Sequence, residues 1–110
     1  MILLFAFLRP VFAAPDFDSG NYMFPRCKAL VEGKPLQVWE GQCGGVVDTL
    51  VWVGSSLPRG GRFCPPRGIP PEQAHRVVVR WLETHPEKLH LRFLGLAVQA
   101  LMEAWPCPKK

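Results

Sequence analysis

The clearest periodicity in the chain lies in "PPEQAHRVVVRWLETH", residues 70–85. Ala74, Val77, Val78, Trp81 and Leu82 recur at i, i+3, i+4, i+7 and i+8, which lines them along one side of an α-helix. Pro71 at a first-turn position, with Glu72 behind it, matches the preferences of a helix N-terminus. Beyond His85-Pro86 a second stripe runs from Leu89 through Phe93, Leu96, Ala97, Ala100 and Leu101 to Ala104. It stops at "WPCPKK", where Pro106 and Pro108 cannot continue a helix. Near the other end, Asp18 or Ser19 can cap a short helix that carries Tyr22, Met23, Cys27, Leu30 and Val31. Gly33 and Pro35 close it, and Pro25 fits only if it falls near the first turn.

The stretch "PLQVWEGQCGGVVDTLVWVGSSL" pulls two ways. Its β-branched residues suggest a strand, and Gly41, Gly44 and Gly45 each weaken a helix by about 1 kcal/mol. Yet Trp39, Cys43, Val46, Val47, Leu50, Val53 and Gly54 recur at spacings of three and four over a length that suits a helix better than a strand. The glycines then leave one face low, so that another helix can approach. Residues 55–71 read as a loop. With no convincing strand anywhere, the expected fold is all-α: a compact bundle of about four helices.

At 110 residues there is room for one domain and one core. Apolar residues make up 48% and charged ones 20%, which fits a globular chain rather than a disordered one. The net charge of +4 is spread over both halves without a Lys/Arg run, which argues against nucleic acid as a partner. The start, "MILLFAFLRPVFAAPD", reads as a shortened export signal over residues 1–13. Val11-Phe12-Ala13 puts small residues at the cleavage positions, although Arg9 interrupts the apolar run and a basic start is missing. Residues 14–110 would then form the exported domain. The run is far shorter than the ~20 residues that span a bilayer.

Four cysteines, Cys27, Cys43, Cys64 and Cys107, sit at wide spacings with no Cys-x-x-Cys pair. Zinc sites usually draw ligands from such close pairs. An even count in a small exported chain points instead to two disulfides, in any of three pairings.

Chemistry has few other footholds. In "WLETHPEKLHLRF", Glu83 and Glu87 are interleaved with His85 and His90, but residues five apart on a helix are turned by about 140° from each other. They do not share a face as the histidines of His-Glu-x-x-His do. Thr84-x-x-Glu87 instead fits a capping box around Pro86, with His85 as an alternative cap and His90 bonding back to the junction. Ser55-Ser56 have no paired histidine in a recognisable motif, no phosphate loop follows a strand, and no cysteine sits where its pKa would clearly fall. The expectation is a protein without catalysis, cofactor or metal. The surface candidates are Arg59, Arg62 and Arg67 in the 55–71 loop, since exposed arginines beside an aromatic suit a protein partner. Trp81 and Trp105 belong to or end the apolar stripes; Trp39 and Trp52 are unassigned.

Taken in order, "SGNYMFPRC", "GQCGG", "FCPPRGIPPEQAHRVVVRWLETHPEKLH" and "AVQALMEAWPC" resemble the motifs of the Tai-type immunity proteins, over Ser19 to Cys107. Phe63-Cys64-x-Pro66, Gln73, His85-Pro86-Glu87, His90 and Pro106-Cys107 carry most of that resemblance. It implies a small, helical, disulfide-bonded periplasmic protein, often a homodimer, that binds and inhibits a peptidoglycan amidase delivered by type VI secretion. The chain departs from the pattern on the second helix, where Val46, Thr49 and Trp52 stand in place of Tyr, Gly and Asp. An alternative of another class is a small exported helical protein of envelope maintenance, such as an acid-stress chaperone. Of the disulfide pairings, Cys27–Cys43 with Cys64–Cys107 is preferred, and Cys27–Cys107 with Cys43–Cys64 stays open.

Overall fold

The computed structural model describes residues 17–109, so the apolar leader and its cleavage site lie outside the described residues. Four α-helices follow in order: α1 (Gly20–Val31), α2 (Val38–Val53), α3 (Pro71–Thr84) and α4 (Phe93–Ala104). Short 3-10 turns, Gly54–Ser56 and Pro86–Lys88, follow α2 and α3. Among the described residues there is no strand, only one isolated bridge between Ser19 and Arg92.

Each helix takes its start from a local cause. Ser19 has extended backbone and its Oγ accepts the Tyr22 N–H at 3.1 Å, which caps α1. At the start of α2 the Glu40 carboxylate reaches back to the Gln37 N–H at 3.0 Å. Pro71 opens α3 where its missing N–H costs nothing. Ambiguity over 35–57 is thus resolved as helix, because Cys43, Val47 and Leu50 all reach the core from one side.

Two local expectations are corrected. α1 begins at Gly20, so Pro25 sits in its second turn rather than its first and leaves the Asn21 carbonyl without the bond it would otherwise receive. The capping box around Pro86 does not form. Thr84 Oγ1 instead donates back to the carbonyls of Arg80 and Trp81, at 3.2 and 3.1 Å, and α4 begins only at Phe93. The reason is tertiary. The Phe93 N–H donates to the Asp18 carbonyl at 2.6 Å, while the Gly20 and Asn21 N–H groups donate to Leu91 and Leu89 at 2.9 and 2.7 Å. Two helix N-termini are thereby stitched together, and main-chain oxygens do the work that a capping side chain would otherwise do. Gly20 permits this closeness: a Cβ there would lie 2.6 Å from Leu96 and 3.0 Å from the Leu89 carbonyl.

The core gathers Met23 and Cys27 of α1, Val47 of α2, Val78 and Leu82 of α3 and Leu96 and Leu101 of α4, with Phe63 from the loop. α1 packs mainly on α2 and α3, and α3 on α4, whereas α2 and α4 barely meet. One side of the bundle is therefore open between α2 and α4. The preferred cysteine pairing is the one adopted: Cys27–Cys43 fastens α1 to α2, and Cys64–Cys107 fastens the loop to the chain after α4.

Candidate protein interface

The histidines do not assemble a site. His85 lies flat on Trp81, ring centroids 3.9 Å apart, and its Nδ1 is 2.7 Å from the Trp81 carbonyl. A carbonyl only accepts, so Nδ1 carries the proton. Glu83 turns to Lys28 of α1, at 4.0 Å. His90 is exposed and does not bond back to the junction as expected. The remaining histidine, His75, joins α3 to α2 by bonding Asp48 Oδ1 through Nε2 at 2.8 Å. Among the described residues no group of three or more His, Cys, Asp or Glu could hold a metal ion.

The loop between α2 and α3 is fixed along its first half. Phe63 is wholly buried with its N–H on the Gly54 carbonyl, 3.2 Å away. Its ring lies over Gly54, where a Cβ would come within 2.6 to 2.9 Å of it. Next to it the Cys64 N–H donates to the Trp105 carbonyl at 2.8 Å, alongside the disulfide to Cys107. Arg62, exposed like the others, folds back on its own loop and donates from Nε to the Leu57 carbonyl at 3.0 Å. Arg59 and Arg67 are exposed, and among the described residues neither has an ion-pair partner. The three arginines therefore divide, with one bracing the loop and two facing solvent. Arg67 stands on a turn that Gly68 makes at φ 77°, a left-handed conformation that suits glycine.

Beside this loop a groove of about 780 Å³ runs along the open side of the bundle. Val46 of α2, Gly60 of the loop and Leu94, Val98 and Met102 of α4 line it, together with the oppositely charged Asp18 and Arg92. A second depression, about 470 Å³, continues it across Gly41, Gly45 and Thr49. At the head of the bundle Phe17, Tyr22 and Trp39 pack as an aromatic cluster, with Phe17 stacked on Trp39 at 4.6 Å and Arg26 over the Tyr22 ring at 4.0 Å. No helix among the described residues is long and apolar enough to cross a membrane.

The sequence profile of a family described as Rap1a immunity proteins matches residues 19–107, nearly the whole of the described chain. The chain belongs to the Rap1a immunity proteins. No curated protein and no solved structure gives a significant match. Membership in an immunity family implies a protein effector as partner and an inhibitory, non-enzymatic role.

In this Rap1a protein the positions at which α2 departs from the expected pattern reach the surface, with Val46 half-buried and Thr49 and Trp52 exposed. Val46 and Thr49 line the groove, and Trp52 is 88% exposed. Sequence reasoning left Trp52 unassigned and passed over His75. The signal for Trp52 was present, because it shares a helical side with Gly41, Gly45 and Thr49 and with no charged residue. The glycines also divide. A Cβ at Gly44 would sit 3.3 Å from Leu30, so that glycine does let α1 approach, whereas Gly41 and Gly45 have nothing within 4 Å. Gly45→Ala is accordingly expected to stabilise the Rap1a fold by about 0.5–1 kcal/mol through helix propensity alone. Gly44→Ala should gain less or lose stability, and urea denaturation of the two variants compares them directly.

Proposed function

We propose that this Rap1a immunity protein is of the Tai type. In this reading it acts in the periplasm, where it binds a peptidoglycan amidase delivered by type VI secretion and occludes its active site. Residues 1–13 serve as its export signal. Three observations support the reading: the immunity family, an apolar leader with small residues before a cleavable bond, and two disulfides, which persist in oxidising compartments.

The observation that carries occlusion is the fastened loop. A segment that must enter a cleft binds best when it is ordered beforehand, since the entropy of ordering is not then lost on association. Phe63, Cys64 and Arg62 order this loop while Arg59 and Arg67 remain free to meet carboxylates of the partner.

The test is protection of living cells. Cells that export the cell-wall amidase encoded beside this gene should lyse, and co-expression of the full chain should prevent it. Arg59→Glu with Arg67→Glu should weaken protection markedly, because buried interface arginines contribute about 2 kcal/mol or more each. Lysis that wild-type protein does not slow would defeat the proposal.

A further inference from the structure

The two disulfides differ in what surrounds them. Cys27 and Cys43 are 0% and 1% exposed, inside the core where α1 meets α2. Cys64 and Cys107 are only half-buried, and Pro66, Arg67, Pro106, Pro108 and Lys109 close to them in the chain are exposed. Thiol–disulfide exchange requires a thiolate to reach one of the two sulfurs, and exposed bridges are the labile ones. Burial therefore shields Cys27–Cys43 until the bundle itself opens, whereas Cys64–Cys107 can be attacked in the folded protein.

The two bridges also fasten different things. Cys27–Cys43 joins helices that already pack on each other, so the bundle has other support at that point. Cys64–Cys107 joins the arginine loop to the chain after α4, alongside the Cys64 N–H bond to the Trp105 carbonyl. Opening it releases a constraint on the loop and leaves the helices joined through their own core. The nearby sequence is mostly cationic: Arg59, Arg62 and Arg67 around Cys64 and Lys109 after Cys107, against Glu103 four residues before Cys107. An attacking thiolate is an anion, and that balance favours its approach.

We propose that Cys64–Cys107 is a thiol–disulfide exchange site for a dithiol oxidoreductase, and that its opening loosens the arginine loop without unfolding the bundle. One thiolate of the oxidoreductase bonds to one sulfur of the bridge. The S–S bond breaks, and the other sulfur leaves with the electron pair and takes up a proton. The second thiol of the oxidoreductase then attacks this mixed disulfide and frees the remaining cysteine. The bridge gains two electrons and two protons, and the oxidoreductase leaves as its own disulfide. Because the exchange runs both ways, the redox poise of the compartment sets the state of the loop. The effect on a partner rests on the immunity reading, in which the loop must be ordered before it binds.

The experiment incubates oxidised full-length protein under native conditions with reduced thioredoxin, and in parallel with dithiothreitol. Free thiols are alkylated at intervals and located by mass spectrometry. Cys64 and Cys107 should be labelled at least tenfold faster than Cys27 and Cys43 by both reductants, with helical circular dichroism unchanged. Amide hydrogen exchange at Cys64 should then rise at least tenfold, while exchange in α1 stays as it was. Labelling of all four cysteines together, or of Cys27 and Cys43 first, would overturn the proposal. So would reduction by dithiothreitol alone, or unchanged exchange at Cys64 after selective labelling. A second arm measures binding to the purified amidase encoded beside this gene. Selectively reduced protein, and Cys64→Ser with Cys107→Ser to avoid the alkyl groups, should bind with a Kd at least tenfold higher than oxidised wild type. Equal binding would overturn the effect on the partner and leave the immunity reading standing. If oxidised wild type binds no amidase, the immunity reading falls, and the order of labelling decides the exchange site by itself.

Discussion

Protein carrying Cys64→Ser together with Cys107→Ser is expected to lose about 4 kcal/mol of folding stability. The bridge joins residues 43 apart in sequence, and closing a loop of that length restricts the unfolded chain by about that amount on the chain-entropy account. The same account gives about 3 kcal/mol for Cys27–Cys43, 16 residues apart. A domain of this size has about 5–15 kcal/mol in all, so removal of the longer bridge consumes a large share of it. The structural consequence is local as well. With the bridge gone, the Cys64 N–H to Trp105 contact and the burial of Phe63 are left to hold this part of the loop near the end of α4, helped by Gly61 beside Val98. Urea denaturation of the oxidised wild type and the double variant measures the difference. Equal midpoints would show that the loop is held without the bridge.

Phe63→Ala should be comparably severe, at about 3–5 kcal/mol, the usual range for a buried aromatic truncated to alanine. Phe63 is fully buried in the core and packs on the backbone of Gly54, so its truncation leaves a cavity there. The converse substitution follows from the same contact. Gly54→Ala forces a methyl to within 2.6 Å of the ring and should lose about 1–3 kcal/mol by overpacking. Because the two residues touch, the effects should not add: Gly54→Ala combined with Phe63→Leu should be more stable than the sum of the single losses allows. Thermal or urea midpoints for the set of four proteins decide the matter, and strict additivity would mean that the ring is not seated on Gly54.

Much of this architecture was legible in the sequence, for identifiable reasons. The stripe from Ala74 to Leu82 is governed by its own periodicity, and Ser19 caps through a bond to a residue three places on. Such features need nothing from the rest of the chain. Features fixed by distant segments were read less well. Thr84 and Glu87 have the spacing of a capping box, but α4 begins at Phe93, because the Asp18 carbonyl meets it there. Pro25 is accommodated in the second turn of α1 although its local sequence argued for the first. Arg59, Arg62 and Arg67 look equivalent in a loop of this composition; all three are exposed, and only the fold brings Arg62 onto the Leu57 carbonyl. His75 meets Asp48 across 27 positions of sequence, a pairing that no local pattern announces. The glycines of α2 were read rightly as a means of close approach, but the structure uses Gly44 for that within the bundle and leaves Gly41 and Gly45 facing outward.

The central claim is that this Rap1a immunity protein acts by occupying one protein partner. The most direct measurement is titration of purified full-length protein into the purified neighbouring amidase while peptidoglycan hydrolysis is followed. The account predicts that hydrolysis stops at one equivalent of this chain per amidase and that the complex survives gel filtration. Undiminished hydrolysis at excess protein, together with suppressed aggregation of unrelated proteins at low pH, would contradict it and favour an envelope chaperone.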